Sequence, residues 1–485
     1  MNPRASLLLL VFLTACSLQP TYEQPAAPVA PAYPAGAAYK DLAGTGTPAA
    51  DIGWRDFLND ERLQRLVETA LKNNRDLRVA ALNISRFEAQ YRIQRSALFP
   101  QVDAAVSSSA VRGVRPGGGG GPNVTTHVYS ADIGVSWTID FFGRLRSLND
   151  VALQQYFATG QAGKATHILL VSRVADQYLA MFSADELLEV TRRTREAAQQ
   201  SYDLAAAQFE AGTGTELSVR QAQTIVEQAR ANYAAQVRNR AQAENALVLL
   251  IGEPLPADLP PGLPFNSQRL VADIPPGLPS DLLTRRPDIM EAEANLRAAY
   301  ADIGAARAAF FPTITLTGTF GSESTQLGQL FTPGARAWSF VPSISVPIFQ
   351  GGALEASLDA AKIQKQAAVA QYEKAIQSAF REVADGLAAR GTYDDQIAAL
   401  EREVAAQLTS LELSELRFRT GVDSYLNVLT AQTNLYSAQQ TLVTARLARL
   451  TNLVDLYQAL GGGWIERTGD APRAAEDMAL MKVFE

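Results

Sequence analysis

The side chains of this 485-residue chain that could carry acid–base or metal chemistry are few and scattered. Close carboxylates occur at Asp394-Asp395 and at Glu291 and Glu293, the kind of pairing that general acid–base work needs. Both lie in charged, helix-patterned stretches, where a solvated face is the simpler reading. Arg285-Arg286 could hold an anion, but Pro287 directly after them points to a helix start, where proline is tolerated at the first position. The run Gly117–Gly121 is no phosphate loop, because no Gly-Lys-Ser/Thr follows and no helix begins there. Two histidines, His127 and His167, and a single cysteine, Cys16, leave too few ligands for a zinc or iron–sulfur site and exclude a disulfide framework. The formal charge of -7 leaves no basic surplus to neutralise phosphates, which argues against a nucleic-acid partner. No catalytic residue, cofactor site or metal site is expected, and the chain does not read as an enzyme.

With 47% hydrophobic and 19% charged residues, the chain is neither wholly disordered nor a polytopic helical membrane protein. At its start, Met1-Asn2-Pro3-Arg4 precedes an apolar run from Ala5 to Leu13, a secretory signal too short to span a bilayer. Leu13-Thr14-Ala15-Cys16 resembles a bacterial lipobox, so residues 1–15 are expected to be a signal peptide and Cys16 the acylated first residue. Ser17 follows where an inner-membrane retention signal would place Asp, and the mature chain is therefore expected at the outer membrane. From 16 to 55 the chain is rich in proline and alanine and reads as an extended strap that leaves the lipid anchor.

The positioning elements come in two copies. Ser96-Ala97-Leu98-Phe99-Pro100 matches Ala308-Ala309-Phe310-Phe311-Pro312 at an offset of 212, and the same offset sets Asp76 on Asp288, Asn83 on Asn295 and Arg95 on Arg307. Farther on the offset becomes 209, pairing Val174-Ala175-Asp176 with Val383-Ala384-Asp385, Phe209 with Phe418, Gly212 with Gly421 and Gly252 with Gly461. The repeats are expected over 56–262 and 281–463, with a proline-rich linker at 263–280 and a tail at 464–485.

Each repeat reads helix, strand, loop, strand, very long helix, turn, long helix. In the second strand Tyr129, Ala131, Ile133, Val135, Trp137 and Ile139 share one face, opposite Ser130, Asp132, Gly134, Ser136 and Thr138. The third sets Ile314, Leu316 and Phe320 against Thr313, Thr315, Thr317 and Thr319. The fourth sets Trp338, Phe340, Ile344, Val346 and Ile348 against Ser339, Ser343 and Ser345, and the first is a weaker Val102, Ala104, Val106 pattern. Period-2 alternation with small hydroxyls on one face and aromatics near strand ends is the pattern of a transmembrane β-barrel strand. Known barrels begin at about eight strands. Four strands must therefore close by oligomerisation, with the loop 112–126 as an exposed tip. The proline-free stretches Ser147–Glu210 and Ala353–Arg419 predict helices of about 95–100 Å. The return helices carry seams at spacings of 3 and 4 (Val219, Ala222, Val226, Ala229, Tyr233, Val237, and Val428, Ala431, Leu435, Ala438, Leu442), which predict antiparallel coiled-coil pairs. Gly212 and Gly421 stop the outgoing helices. Beyond the second turn Asp423, Asn427 and Thr430, spaced 4 and 3, share one helix face.

Leu283-Thr284-Arg285-Arg286-Pro287-Asp288-Ile289, continuing to Ile303-Gly304-Ala305-Ala306-Arg307 and Phe310-Phe311-Pro312, resembles the signature of TolC-like outer membrane efflux proteins, and of their lipoprotein branch in particular. Trp137-Thr138-Ile139-Asp140-Phe141-Phe142-Gly143-Arg144 and Gly421–Gln432 are two further family-like motifs, and the similarity spans nearly the whole mature chain. The resemblance implies an α+β membrane protein: a homotrimer whose four strands per subunit close a 12-stranded outer-membrane barrel, continued by an α-helical coiled-coil tunnel into the periplasm. It implies a passive exit duct for small molecules in a tripartite, RND-type efflux system, with a periplasmic adaptor (membrane fusion protein) and an inner-membrane transporter as partners. By the same resemblance Asp423, Asn427 and Thr430 face the closed periplasmic mouth; Arg417 and Arg419 are candidate partners for Asp423, whose alternative role is to cap the helix that follows. The helix tips Gly212, Thr213, Glu216, Gly421, Val422 and Ser424 would meet the adaptor. Relatives often carry carboxylates at the positions of Asn427 and Thr430 and a tyrosine at Phe418, which this chain lacks. Two other readings are an exit channel for a secreted polypeptide or oligosaccharide and a lipid-anchored periplasmic coiled-coil scaffold.

Overall fold

The computed structural model describes residues 17–40, 46–113, 124–268, 270 and 274–471. The signal segment, Cys16, the glycine run and residues 472–485 lie outside the described residues. The main elements are α1 (Glu61–Asn73), α2 (Arg75–Ser96), β1 (Gln101–Gly113), β2 (Val124–Ile139), α3 (Arg144–Glu210) and α4 (Glu216–Ile251), then α5 (Pro287–Ala308), β3 (Thr313–Ser324), β4 (Arg336–Ser345), α6 (Ala353–Arg419) and α7 (Tyr425–Ala459). At the offset of 212, α2 superposes on α5 to the residue. At 209, α3 superposes on α6 and α4 begins where α7 does. The duplication is thus written into element boundaries as well as into residue identities. Two compact units cut across it: Met1–Ala26, Asn83–Thr159 and Glu291–Tyr372 form one, Ala27–Leu82, Gly160–Met290 and Glu373–Glu485 the other, so each draws on both repeats.

The first unit holds a four-stranded antiparallel sheet in the order β1-β2-β3-β4. Its register aligns like with like. Ala104, Ile133, Phe320 and Trp338 form one cross-strand row, and Ile139, Ile314 and Ile344 another. On the opposite face Asp103, Gly134, Thr319 and Ser339 line up, as do Thr138, Thr315 and Ser343. Hydroxyls on that face bond across strands, Ser107 Oγ to Ser130 Oγ at 2.9 Å and Thr319 Oγ1 to Ser339 Oγ at 2.7 Å. The apolar face is bare, with Trp338 76% and Phe320 66% exposed. The alternation predicts β4 through Ile348, but the strand ends at Ser345, and Pro347 lacks the N–H that a longer ladder needs. The outer edges of β1 and β4 have no strand partner among the described residues. Asp140, in the second motif, starts α3: its carboxylate accepts from the Leu145 and Arg146 amides at 3.0 and 2.8 Å and from Arg146 Nε at 3.1 Å.

The second unit is held by buried side chains of α1, α3, α4 and α7, among them Leu63, Leu66, Tyr178, Leu247, Ile251 and Tyr457. The predicted seams are buried at Ala222, Val226 and Ala229 and along Val428–Leu442; Val237, expected in the seam, is instead exposed. Gly252 and Gly461 both adopt left-handed φ (+82° and +85°), and an added Cβ would lie 2.5 Å from Asn73 O in one repeat and 2.8 Å from Arg285 O in the other. Each return helix therefore ends against the short helix that opens its own repeat, and only glycine fits there. Asp60 is the polar centre of this packing. It caps α1 through the Arg62 and Leu63 amides (2.9 and 3.3 Å) and accepts from Tyr178 Oη and Gln268 Nε2, both at 2.8 Å. The expected boundary at Gly463 falls inside packed structure, because Trp464 and Ile465 are buried and Trp54 N donates to Ile465 O at 2.9 Å. Among the described residues no helix is long and apolar enough to cross a membrane.

Arg286 is 8% exposed and holds three elements together. It forks onto Asp288 (3.0 and 2.6 Å), pairs with Glu382 at 2.8 Å and donates to Ala459 O at 3.0 Å. Burial pulls its pKa down, but Asp288 and Glu382 outweigh burial and hold it above the ordinary value. Its donors are spent internally, so the anion-site reading of Arg285-Arg286 does not hold; Arg285 pairs with Asp51 at 2.9 Å. Arg286→Ala removes the donors of Asp288, Glu382 and Ala459 O, and because both carboxylates stay partly solvated it should cost about 1–3 kcal/mol. Denaturant unfolding followed by circular dichroism checks this, with Arg286→Lys expected to recover only part of the loss.

Candidate functional site

The candidate site is the pair of turns that reverse the long helices. Both are built alike. In the first, Gly212 N donates to Phe209 O and Thr213 N to Gln208 O (3.0 and 2.9 Å); in the second, Gly421 N donates to Phe418 O and Val422 N to Arg417 O, at the same two distances. These are paired 5→2 and 6→1 closures, with Gly212 and Gly421 at φ of +73° and +72°. Thr213, Glu216, Val422 and Ser424 are exposed at these tips, with Leu217 (66%), Val422 (64%) and Leu426 (52%) as bare apolar side chains. Beneath them Ala205, Ala222, Tyr425 and Val428 form a buried cluster, against which Tyr202 and Phe418 pack. The Phe418 and Tyr425 rings lie 5.2 Å apart.

The turns differ in their polar chemistry. Asp423 Oδ2 accepts from Arg417 Nε at 3.1 Å, while Oδ1 accepts from Asn427 Nδ2 at 2.6 Å and from the Ser424 amide at 2.9 Å. Arg417, then the Ser424 amide, hold the Asp423 carboxyl below the usual carboxylate range. Asp423 precedes the N-cap of α7, which is Ser424, so its carboxylate is a bridge between the end of α6 and the start of α7. The structure thus brings Asp423 and Asn427 together with Arg417. Thr430 stays apart, its hydroxyl bonded to Leu426 O at 2.9 Å, and Arg419 turns to Glu415 at 3.5 Å. In the first repeat the equivalent of Asp423 is Gly214, where an added Cβ would lie 2.9 Å from Phe209 N, and the equivalent of Arg417 is Gln208. There Thr215 caps α4 in the ordinary way, through the Ser218 amide at 3.2 Å.

The other sequence candidates are absorbed into structural pairs. Asp394 accepts from Arg449 Nε at 2.5 Å, Asp395 pairs with Lys40, and Glu293 accepts from Tyr22 Oη and Arg297. One group escaped sequence reasoning. Asp176 lines a cleft of about 410 Å³ with Arg173, Gln177, Ala180, Leu250 and Thr451. Burial, and secondarily the charge of Asp455, push its pKa up to about 8. Its counterpart in the second repeat, Asp385, is exposed and faces Arg381 at 3.9 Å. Residue identity in the repeat therefore gave no signal of this difference.

With this geometry in place, comparison with known proteins is informative. The family described as outer membrane efflux protein matches residues 66–253 and 278–462. The toluene efflux pump outer membrane protein TtgC of Pseudomonas putida is 48% identical over 464 residues, covering 96% of each chain. Outer membrane protein OprJ of Pseudomonas aeruginosa is 42% identical, covering 95% of this chain and 96% of its own. The open-state structure of the Neisseria gonorrhoeae MtrE outer membrane channel superposes with a TM-score of 0.81 at 39% identity, covering 94% of this chain and all of that one.

Asp176 yields a test independent of these likenesses. A carboxyl whose folded-state pKa is raised binds its proton more tightly in the folded chain, so its contribution to stability falls as pH rises from about 4 to about 8. Asp176→Asn removes that titration. Unfolding midpoints measured at pH 5, 7 and 9 should decline less with pH in the variant than in the unaltered chain.

Proposed function

Because the chain belongs to the outer membrane efflux protein family, we propose that it is the passive trimeric exit duct of a tripartite efflux system that releases small molecules from the cell. The observation that carries this reading is the sheet: one apolar face, one hydroxyl-lined face, and two edges without a strand partner among the described residues. In a bilayer every backbone polar group needs a partner, and only closed barrels satisfy a sheet. Three copies of four strands give twelve, inside the range of known barrels. The long helices, each of 67 residues and therefore about 100 Å, supply the periplasmic part of the duct. Acylation of Cys16 adds a lipid anchor at the same membrane. The tips Gly212, Thr213, Glu216, Gly421, Val422 and Ser424, with the bare Leu217 and Leu426 beside them, are the surface for a periplasmic adaptor, which couples the duct to an inner-membrane transporter.

A duct of this kind needs selectivity and closure, not bond-making. For selectivity, the hydroxyl face carries Asp103, Asp132 and Glu323 and, among the described strand residues, no Lys, Arg or His. Three copies put nine carboxylates inside the barrel, within about one Debye length of a solute passing along it. For closure, Arg417, Asp423 and Asn427 pin the second turn in one conformation, and threefold symmetry repeats that lock around the mouth.

Two measurements test this. In planar bilayers under a salt gradient the channel should prefer cations, and the triple variant Asp103→Asn, Asp132→Asn, Glu323→Gln should lose most of that preference; an unchanged reversal potential would mean that the hydroxyl face does not line the pore. Separately, Asp423→Ala and Arg417→Ala should each raise the conductance of the closed channel severalfold. The depressed pKa of Asp423 means that closure persists through the ordinary carboxylate range near 3.9 and is lost only as pH falls below it. Equal conductance in both variants and the parent would remove this cluster from gating.

A further inference from the structure

The strap reads from its composition as a featureless tether, yet its first described residues are gripped by side chains of three helices within the sheet-bearing unit. Gln19 Nε2 donates to Ser147 Oγ at 3.1 Å and to Asp150 Oδ2 at 2.9 Å, both at the start of α3. The side chain of Gln19 also fills a notch at Gly304 of α5, where an added Cβ would stand 2.4 Å from Gln19 Cγ, 2.8 Å from Ser147 Oγ and 3.0 Å from Gln19 Cα. Arg307 Nη1 donates to Leu18 O at 3.2 Å.

Three residues on, Tyr22 is held on all sides. Its hydroxyl donates to Glu293 Oε1 at 3.0 Å, and its ring meets Tyr300 edge-on at 5.3 Å. The Arg297 guanidinium lies 4.8 Å over the ring and is itself paired with Glu293 at 2.7 Å. Tyr300 Oη then donates to Glu23 O at 3.4 Å, and Gln24 Nε2 donates to Oη of Tyr372, a fully buried residue of α6. Such a set of side-chain-specific contacts is what a peptide-recognition groove looks like, and it reads three side chains, Gln19, Tyr22 and Gln24, of a segment that bends at Gln19 and forms neither helix nor strand. Gly304 also stands in the first family-like motif, and nothing in the efflux reading explains it.

We propose that residues 17–24 are a recognition segment that α3, α5 and α6 bind in one register, clamping repeat 1 to repeat 2 in the sheet-bearing unit. The segment is bound through its own side chains, whether or not a lipid is attached upstream. Because Cys16 lies only three residues before Gln19, about 10 Å of extended chain, the clamp also limits where an anchor on Cys16 can enter the membrane. That corollary rests on the efflux-channel reading, while the clamp itself does not.

A glutamate-specific protease tests the clamp on the full chain purified from membranes in detergent, with the new amino terminus at Gln24 read by mass spectrometry. Cleavage after Glu23 should be slow in the parent chain and at least tenfold faster in Gly304→Leu, which fills the notch, and in Gln19→Ala with Tyr22→Ala, which empties the groove. Tyr22→Phe should fall between. If Gly304→Leu does not assemble, the strap variants leave the helices unaltered and still decide the question. Equal rates in the parent and in Gln19→Ala with Tyr22→Ala overturn the proposal. Cys16→Ser should keep Glu23 protected, and loss of protection there would assign the docking to the lipid and overturn recognition by the peptide.

Discussion

The constraint on which the duct depends is the hydrogen-bonding demand of a sheet whose one face is apolar and whose two edges have no strand partner among the described residues. In water such an edge would recruit any available strand, and in a bilayer it would leave several kilocalories of unmet backbone polarity per group. The chain cannot meet that demand by itself. The cross-strand rows of Ile, Phe and Trp exclude water from one side, and the Ser, Thr and acid rows require it on the other. A single copy is therefore an incomplete object, and the strands themselves require closure by further copies.

The duplication makes the two edges of the sheet complementary, because β1 opens the first hairpin as β3 opens the second, and β4 closes the second as β2 closes the first. Two hairpins descend from one ancestral pattern, and the helices that follow them match in length and in terminal closures. Within each repeat a buried charge then fixes how its own elements pack. Arg286, from the second repeat, holds the start of α5, a carboxylate of α6 and the end of α7, while Asp60, from the first, gathers α1, a tyrosine of α3 and the linker. Both are buried charges with several partners. That arrangement specifies one packing more than it adds stability.

Legibility in the sequence follows the same division. Features set by local periodicity were readable: the strands, the long helices and the glycine stops depend on residues within a few positions of one another, and the repeat offset on the same local pattern occurring twice. Features set by what arrives from elsewhere in the chain were not. Nothing near Arg286 announces Glu382, and nothing near Asp176 announces that it is shielded while Asp385, its repeat partner, is exposed. The strap failed for a subtler reason. Low complexity argues against a core of its own but is silent about a groove built by others, and Gly304 would have needed its tertiary partner Gln19 to be interpretable. At the tips the spacing of Asp423, Asn427 and Thr430 suggests one helix face, yet Asp423 stands before the N-cap of α7 and reaches only Asn427, while Thr430 spends its hydroxyl on the preceding turn of its own helix.

The divergence between the two turns is where a repeated architecture becomes a directional one. Had both carried the Arg–Asp–Asn cluster, a closed ring of three copies would hold six equivalent locks, and opening would require all of them to break together. Gly214 makes that impossible. The backbone of the first turn leaves no room for a side chain there, and Gln208 supplies no charge to pair with. The first turn is therefore closed by backbone bonds, the Thr213 hydroxyl on Gln208 O and a conventional threonine cap, none of which is charged. The second turn shares those backbone bonds and adds an exposed ion pair, the kind of interaction that contributes little to stability but is readily exchanged for contacts with another protein. A partner that offers its own charges to Arg417 or Asp423 would compete with that ion pair directly, whereas the first turn holds no such pair to exchange.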